Sequence, residues 1–115
     1  MKKQMKIAIP TDDGLIVRSG FSSSRGFMVA TVNSDMIIQQ EMRWNLLSEM
    51  ITSRFGYFYN LNDCDVIIVR EVEDSHKKIF KLKNMNIVRT AETEITAAFL
   101  HYLKCIPFLL EEESS

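Results

Sequence analysis

Short apolar runs separated by polar turns occupy much of the chain, and their spacing predicts five strands. Residues 7–9 and 65–69 are almost continuously apolar, which is typical of strands covered on both faces. Residues 27–32 and 36–44 are longer runs on either side of a polar turn, so they predict a β-hairpin. Residues 86–89 predict a short fifth strand.

Apolar residues at helical spacing predict three helices between and after these strands. The first is expected near residues 46–59, where apolar side chains recur every three or four positions. The second is expected to begin at an N-cap, either Asp74 or Ser75, and to end near Asn84. Thr93 is the expected cap of the third helix, and Pro107 its expected end.

The order of these elements is strand, hairpin, helix, strand, helix, strand, helix. Strands that alternate with helices are typical of a parallel sheet with right-handed crossovers, and the hairpin then supplies an antiparallel edge. The pattern therefore predicts an α/β fold, a three-layer α/β/α sandwich around a mixed five-stranded sheet. Residues 1–115 are expected to form a single domain, because this length is close to the commonest domain size.

Composition narrows the range of partners. The chain has 14 basic and 15 acidic residues, a net charge of −1, so its charge gives no case for nucleic-acid binding. The apolar runs are too short for a membrane span, and none predicts a signal peptide. Cys64 and Cys105 lack the spacing of a zinc or disulfide motif, so we expect a reducing, cytoplasmic location.

Three segments carry a resemblance to a known family. Met5–Gly14, Ser19–Val32 and Asp63–Val69, together with the element order, resemble the dinitrogenase iron-molybdenum cofactor biosynthesis family of nitrogenase accessory factor-like domains. The resemblance implies a sandwich with a ribonuclease H-like motif. It also implies a non-catalytic domain that binds or carries iron-sulfur or iron-molybdenum cofactor precursors.

The residues at the family's ligand positions differ in this chain. Members often carry a His-Phe-Gly-Arg-like loop after the first strand, where this chain has residues 20–23, Gly-Phe-Ser-Ser. A Gly-Gly-Ile-Gly-like loop is replaced by residues 70–73, and a histidine- or cysteine-rich segment by residues 54–59. The resemblance thus implies a divergent carrier whose cofactor ligands are largely lost, and we predict no metal site.

Basic residues are expected to gather where the parallel strands end. Ligands of open α/β sheets bind beyond the carboxyl ends of the strands. The residues predicted to hold an anion or cofactor there are Arg18, Ser22, Ser23, Arg25, Arg70 and Arg89. Guanidinium groups bind carboxylate or phosphate through two parallel hydrogen bonds. The other interpretation is a solvated rim, in which Arg70 and Arg89 pair with Asp12, Asp13 or Glu71.

Few other residues suggest chemistry. Asp12 and Asp13 either bind a hard cation or shape the turn that ends at Gly14. His76 and His101 have no serine or cysteine nucleophile at a recognisable spacing, so the sequence predicts no enzyme.

An aromatic surface is the basis of an alternative function. Trp44, Tyr57 and Tyr59 either fill the core or form an exposed patch for a protein partner or homodimer. In the second case the chain is a ligand-free interaction or regulatory module on the same scaffold.

Overall fold

The computed structural model describes residues 4–19, 24–34, 36–44 and 61–114, with side chains described as far as Lys104. The predicted helix near residues 46–59 lies outside these ranges. The described elements are β1 (Gln4–Thr11), β2 (Gly26–Asn33), β3 (Met36–Trp44), β4 (Val66–Val69), α1 (Asp74–Leu82), β5 (Asn86–Arg89) and α2 (Ile95–Ser114). No helix in the described part is long and apolar enough to cross a membrane.

The five strands form one mixed sheet, as the sequence predicts. Their order is β3-β2-β1-β4-β5. The hairpin of β2 and β3 is antiparallel to β1, whereas β1, β4 and β5 run parallel to one another. The carboxyl ends of β1, β4 and β5 therefore share one edge of the sheet, where the anion site is expected.

Both faces of the sheet are covered, which explains why residues 7–9 of β1 and all four residues of β4 are apolar without interruption. Alternate residues of a strand point to opposite faces. Ile7, Ile9, Val66 and Ile68 belong to one core cluster, which includes Ile95, Ala98, Phe99 and Tyr102 of α2. Ala8, Ile67 and Val69 belong to the second cluster, which includes Phe80 of α1. The sheet thus lies between α1 and α2, and the α/β sandwich is confirmed.

The predicted N-caps are wrong by one or two residues. The N-cap of α1 is Glu73, with no side-chain hydrogen bond, so Asp74 and Ser75 lie inside the first turn. In α2 the main-chain oxygen of Glu94 accepts the N–H of Ala98, which places the cap one residue after Thr93. An acidic residue in the first turn is favoured by the helix dipole, and this explains why Asp74 gives a cap-like signal.

Pro107 does not end α2, which continues to Ser114. A proline inside a helix removes one hydrogen bond to the carbonyl four residues earlier and kinks or breaks many helices. Leu103 and Lys104 before Pro107, and Leu109 and Leu110 after it, have high helix propensity, which favours continuation of the helix.

Candidate functional site

The loop after β1 folds back over the carboxyl edge of the sheet. The N–H of Arg18 donates to the oxygen of Pro10 at 2.8 Å, and an isolated bridge joins Ile16 to Glu94. A second isolated bridge joins Val17 to Thr11. These bonds fix the loop between β1 and the start of α2, so its side chains have defined positions.

Thr11 and Asp13 hold the tight turn that begins this loop. The buried Thr11 hydroxyl donates to the oxygen of Ile16 at 2.6 Å and accepts the N–H of Gly14 at 3.0 Å. Asp13 Oδ1 accepts the N–H groups of Ile16 and Leu15 at 3.0 and 2.8 Å, and these two bonds lower the pKa of Asp13. Gly14 has a φ of 81°, a conformation that glycine adopts readily. The turn-shaping role of Asp13 is confirmed.

Asp12 ties the two ends of the loop together. Its Oδ2 accepts a bond from Arg18 Nη1 at 3.0 Å, and its Oδ1 accepts the main-chain N–H of Arg25 at 2.9 Å. Both carboxylate oxygens therefore accept hydrogen bonds from residues of the loop. Within the described ranges, no group of three or more histidine, cysteine, aspartate or glutamate residues is placed to hold a metal ion.

An open cleft lies beside this turn, at the edge predicted to hold a ligand. Its volume is about 360 Å³, and it is lined by Asp12, Asp13, Ile16, Val17, Arg18, Ser19 and Arg70. Arg70 is half-buried and follows the last residue of β4. No ion pair joins Arg70 to another residue in the part of the chain that the structure describes. Arg70 is therefore the cation of this cleft that has no carboxylate partner there.

The other predicted anion-binding residues are distributed differently. Arg89 is not part of the cleft and lines a separate groove beside α1. Arg25 is anchored through its main chain, and its residue is exposed. Ser22 and Ser23 lie outside the described residues. The predicted convergence of four arginines thus holds for Arg18 and Arg70 only.

The alternative rim of ion pairs also differs from its prediction. The carboxylate partner of Arg18 is Asp12, and the described residues show no ion pair of Arg70 or Arg89 with Asp12, Asp13 or Glu71.

Sequence reasoning missed a charged cluster centred on Asp63. This carboxylate accepts hydrogen bonds from Arg43 Nη2 on β3 and from Lys6 Nζ on β1, both at 2.9 Å. Arg43 also pairs with Glu41 at 2.7 Å, and only 18% of its side chain is exposed. The cluster joins the segment before β4 to two other strands. The i, i+2 spacing of Glu41 and Arg43 places them on one face of β3, but only the fold brings Asp63 there.

The Cys64 thiol lies beside this cluster. Burial, and then the negative charge of the neighbouring Asp63 carboxylate, raise the pKa of this thiol to about 12. The thiol is therefore neutral at pH 7. Cys64 is 6% exposed and belongs to the core cluster around Phe80, so it packs as a small apolar residue before β4.

Loss of the Asp63 charge at acid pH is expected to destabilise the fold. Hydrogen bonds from Arg43, and then from Lys6, hold the pKa of Asp63 well below its usual value. A carboxylate with a lowered pKa stabilises the native state above its unfolded pKa, near 4, and this contribution is lost as the pH falls below 4. Because 47% of the side chain is exposed, we expect about 1 kcal/mol at most.

Urea unfolding at pH 7 and pH 3 measures this contribution. Asp63→Asn should lower the free energy of unfolding more at pH 7 than at pH 3. Glu71→Gln, at an exposed carboxylate beyond β4, is the control and should show a smaller difference between the two pH values. An equal cost of Asp63→Asn at both pH values would contradict the assignment.

The predicted aromatic patch is described only in part. Trp44, at the end of β3, is 53% exposed, and Met36 and Ile38 on the same edge strand are 67% and 52% exposed. Tyr57 and Tyr59 lie outside the described residues. An interaction surface at Trp44 stays a prediction.

Comparison with solved structures identifies the fold. A candidate dinitrogenase from Methanocaldococcus jannaschii shares 15% sequence identity with this chain at a TM-score of 0.71, covering 90% of this chain and 91% of that one. The apo form of the orange protein from Desulfovibrio gigas shares 18% identity at a TM-score of 0.71, over 87% and 88% of the two chains. A candidate NifB protein from Thermotoga shares 14% identity at a TM-score of 0.69, over 87% and 88%.

These similarities confirm the predicted resemblance as a likeness of fold. They extend over 87–90% of this chain and 88–91% of the other chains, so the likeness concerns the fold as a whole. No family model matches the sequence, and no curated protein matches it either.

Proposed function

We propose that this protein is a non-catalytic binding or carrier domain that holds a small anionic cofactor precursor in the cleft beside Arg18 and Arg70. The observation that carries the proposal is the position of Arg70. Its guanidinium lines an open cleft at the carboxyl end of β4, where open α/β sheets bind ligands. The described residues offer Arg70 no carboxylate partner, so an anion would supply one.

The charges in the cleft fit a single anion rather than a metal cation. Asp12 is engaged by Arg18 and by the N–H of Arg25, and Asp13 by the N–H groups of its own turn. Both carboxylates are thus partly neutralised by their donors, whereas no described residue forms an ion pair with Arg70. Arg18 is engaged by Asp12, so Arg70 is the side chain expected to make the main contact with the anion.

The class of cargo comes from the resemblance and from the fold neighbours. Two of the neighbours carry the descriptions dinitrogenase and NifB, and the cofactor biosynthesis family binds precursors that contain iron, sulfur or molybdenum. Oxyanions and thiolate-ligated clusters of these elements are negatively charged, so guanidinium groups would hold them by charge and hydrogen bonds. The protein would then bind its cargo without ligating the metal directly.

Arg70→Gln is expected to reduce anion binding by a factor of about 10 to 100, because loss of a charge-assisted contact costs about 1.5 to 3 kcal/mol. The probes are molybdate, measured by calorimetry, and an iron-sulfur cluster assembled anaerobically from ferrous iron and sulfide, measured by metal content and visible absorption. Lys83→Gln, an exposed position after α1, is the matched control and should bind as the unsubstituted protein does.

Two results would contradict the proposal. One is the absence of binding of either probe to the unsubstituted protein. The other is equal binding by the unsubstituted and Arg70→Gln proteins. Either result would favour the alternative, a ligand-free interaction or regulatory module on the same scaffold.

A further inference from the structure

A second open space, a groove between α1 and β5, has an apolar floor and a basic rim. Its volume is about 380 Å³, and it is lined by Val72, Lys77, Lys81, Met85, Asn86, Ile87 and Arg89. Met85 is buried, and Val72 and Ile87 pack on the core cluster of Phe80. None of the seven lining residues is acidic. The groove therefore combines apolar contact area with net positive charge.

Among the described residues, few carboxylates neutralise the basic side chains of the groove. Lys77 Nζ lies 3.5 Å from Asp74, whose side chain is 93% exposed, so this pair is weak. For Lys81 and Arg89 the described residues show no ion pair. Lys77 and Lys81 are four residues apart on one face of α1, so they flank the groove together.

The groove also contains an open sheet edge. Among the described strands, β5 is the last of the sheet and has β4 on one side only. The N–H groups of Asn86 and Thr90 donate to the main-chain oxygens of Asp65, just before β4, and of Val69, at 3.0 and 2.9 Å. Because the peptide groups of a strand alternate in direction, the N–H groups of Ile87 and Arg89 point away from β4 toward the open edge. An extended chain laid along β5 would find main-chain donors beside the basic rim.

We propose that this groove binds an extended acidic segment of a partner protein by adding it as a strand to β5. Hydrogen bonds to the main chain of Ile87 and Arg89 would align the segment. Its carboxylates would approach Lys77, Lys81 and Arg89, and alternate apolar side chains would contact the floor at Met85. A second copy of this chain fits poorly, since pairing of β5 with itself would bring like charges together.

The probe is a fluorescent eight-residue peptide in which glutamate and valine alternate, and its binding is measured by anisotropy at low ionic strength. The double substitution Lys81→Gln and Arg89→Gln should weaken binding at least tenfold. Both positions are exposed, so the variant should keep the thermal midpoint of the unsubstituted protein. Added salt should weaken binding, because exposed charges are screened.

Two control peptides test the mode of binding. A peptide with lysine in place of glutamate should not bind. A peptide whose N–H groups are methylated at every second residue should bind at least tenfold more weakly if it pairs as a strand. Equal binding of the methylated peptide would contradict strand addition, and equal binding by the double variant would contradict this location.

Arg70→Gln separates this inference from the proposed function. Arg70 is not among the lining residues of the groove, so the substitution should leave peptide binding unchanged. Loss of peptide binding in Arg70→Gln would overturn the proposal of two independent sites. Failure of molybdate or cluster binding would bear only on the cleft.

Discussion

Replacing Phe80 with alanine is expected to lower the free energy of unfolding by about 3 to 5 kcal/mol, the usual cost of truncating a buried phenylalanine. Phe80 is fully buried and is the only residue of α1 that is buried to this degree. It belongs to the core cluster of β1, β2 and β4, so its removal leaves a cavity under the helix. The cost includes lost transfer free energy and the contacts that surround the cavity.

Leu82→Ala is the matched control for this prediction. Leu82 is in the same helix but is 84% exposed, so its substitution should change the free energy of unfolding by less than about 0.5 kcal/mol. Urea unfolding followed by circular dichroism measures both variants. Equal effects of the two substitutions would show that α1 is not attached to the sheet through Phe80.

Gly26→Ala is expected to destabilise the protein by about 3 kcal/mol, the upper part of the usual range for overpacking. Gly26 lies at the start of β2, opposite Trp44 of β3. A Cβ atom there would lie 2.4 Å from the main-chain oxygen of Arg43 and 3.1 Å from the Cα of Trp44. Because both atoms belong to the main chain, no side-chain rotation can relieve the contact, and β3 must move away from β2.

Asn33→Ala tests whether this effect depends on the position. Asn33 is the exposed last residue of the same strand, so its substitution should cost less than about 1 kcal/mol. Thermal unfolding gives the midpoints of both variants. A midpoint of Gly26→Ala close to that of the unsubstituted protein would mean that β2 and β3 separate at little cost at this end.

The same movement would change the charged cluster. Arg43 donates to Asp63 from the strand that Gly26→Ala displaces. We therefore expect the pH dependence of stability that Asp63 contributes to decrease in this variant. The hairpin and the segment before β4 are thus coupled through one carboxylate.

Local sequence patterns account for the elements of the fold. The unbroken apolar runs at residues 7–9 and 66–69 require cover on both faces, and the two core clusters supply it. The spacing of apolar residues and the residue types typical of turns are local properties of the sequence. They therefore identify the strands and the parallel β4-α1-β5 unit. The predicted N-caps were wrong because a residue such as Thr93 can cap a helix but does not fix where the helix begins. Tertiary contacts select the first helical residue.

The candidate site could be predicted only in outline. The rule that ligands bind at the carboxyl ends of parallel strands places Arg18 and Arg70 correctly, since each follows a strand or its loop. Arg89 also follows a parallel strand, yet it lines the groove beside α1. Its strand is at the edge of the sheet, and the direction of its side chain depends on the register with β4, which local sequence does not encode.

By itself the sequence determined the strand and helix pattern, the mixed α/β sandwich and the edge of the sheet that carries the cleft. These depend on periodicity and on chain direction, which are properties of neighbouring residues. Only the tertiary structure decided which charges meet. In the folded chain Arg43 forms an ion pair with Asp63, and Arg18 forms one with Asp12. Arg70 lines the cleft, whereas Arg89 lines the groove beside α1. Ion pairs depend on distances of a few ångströms between residues far apart in the chain, and packing alone sets those distances.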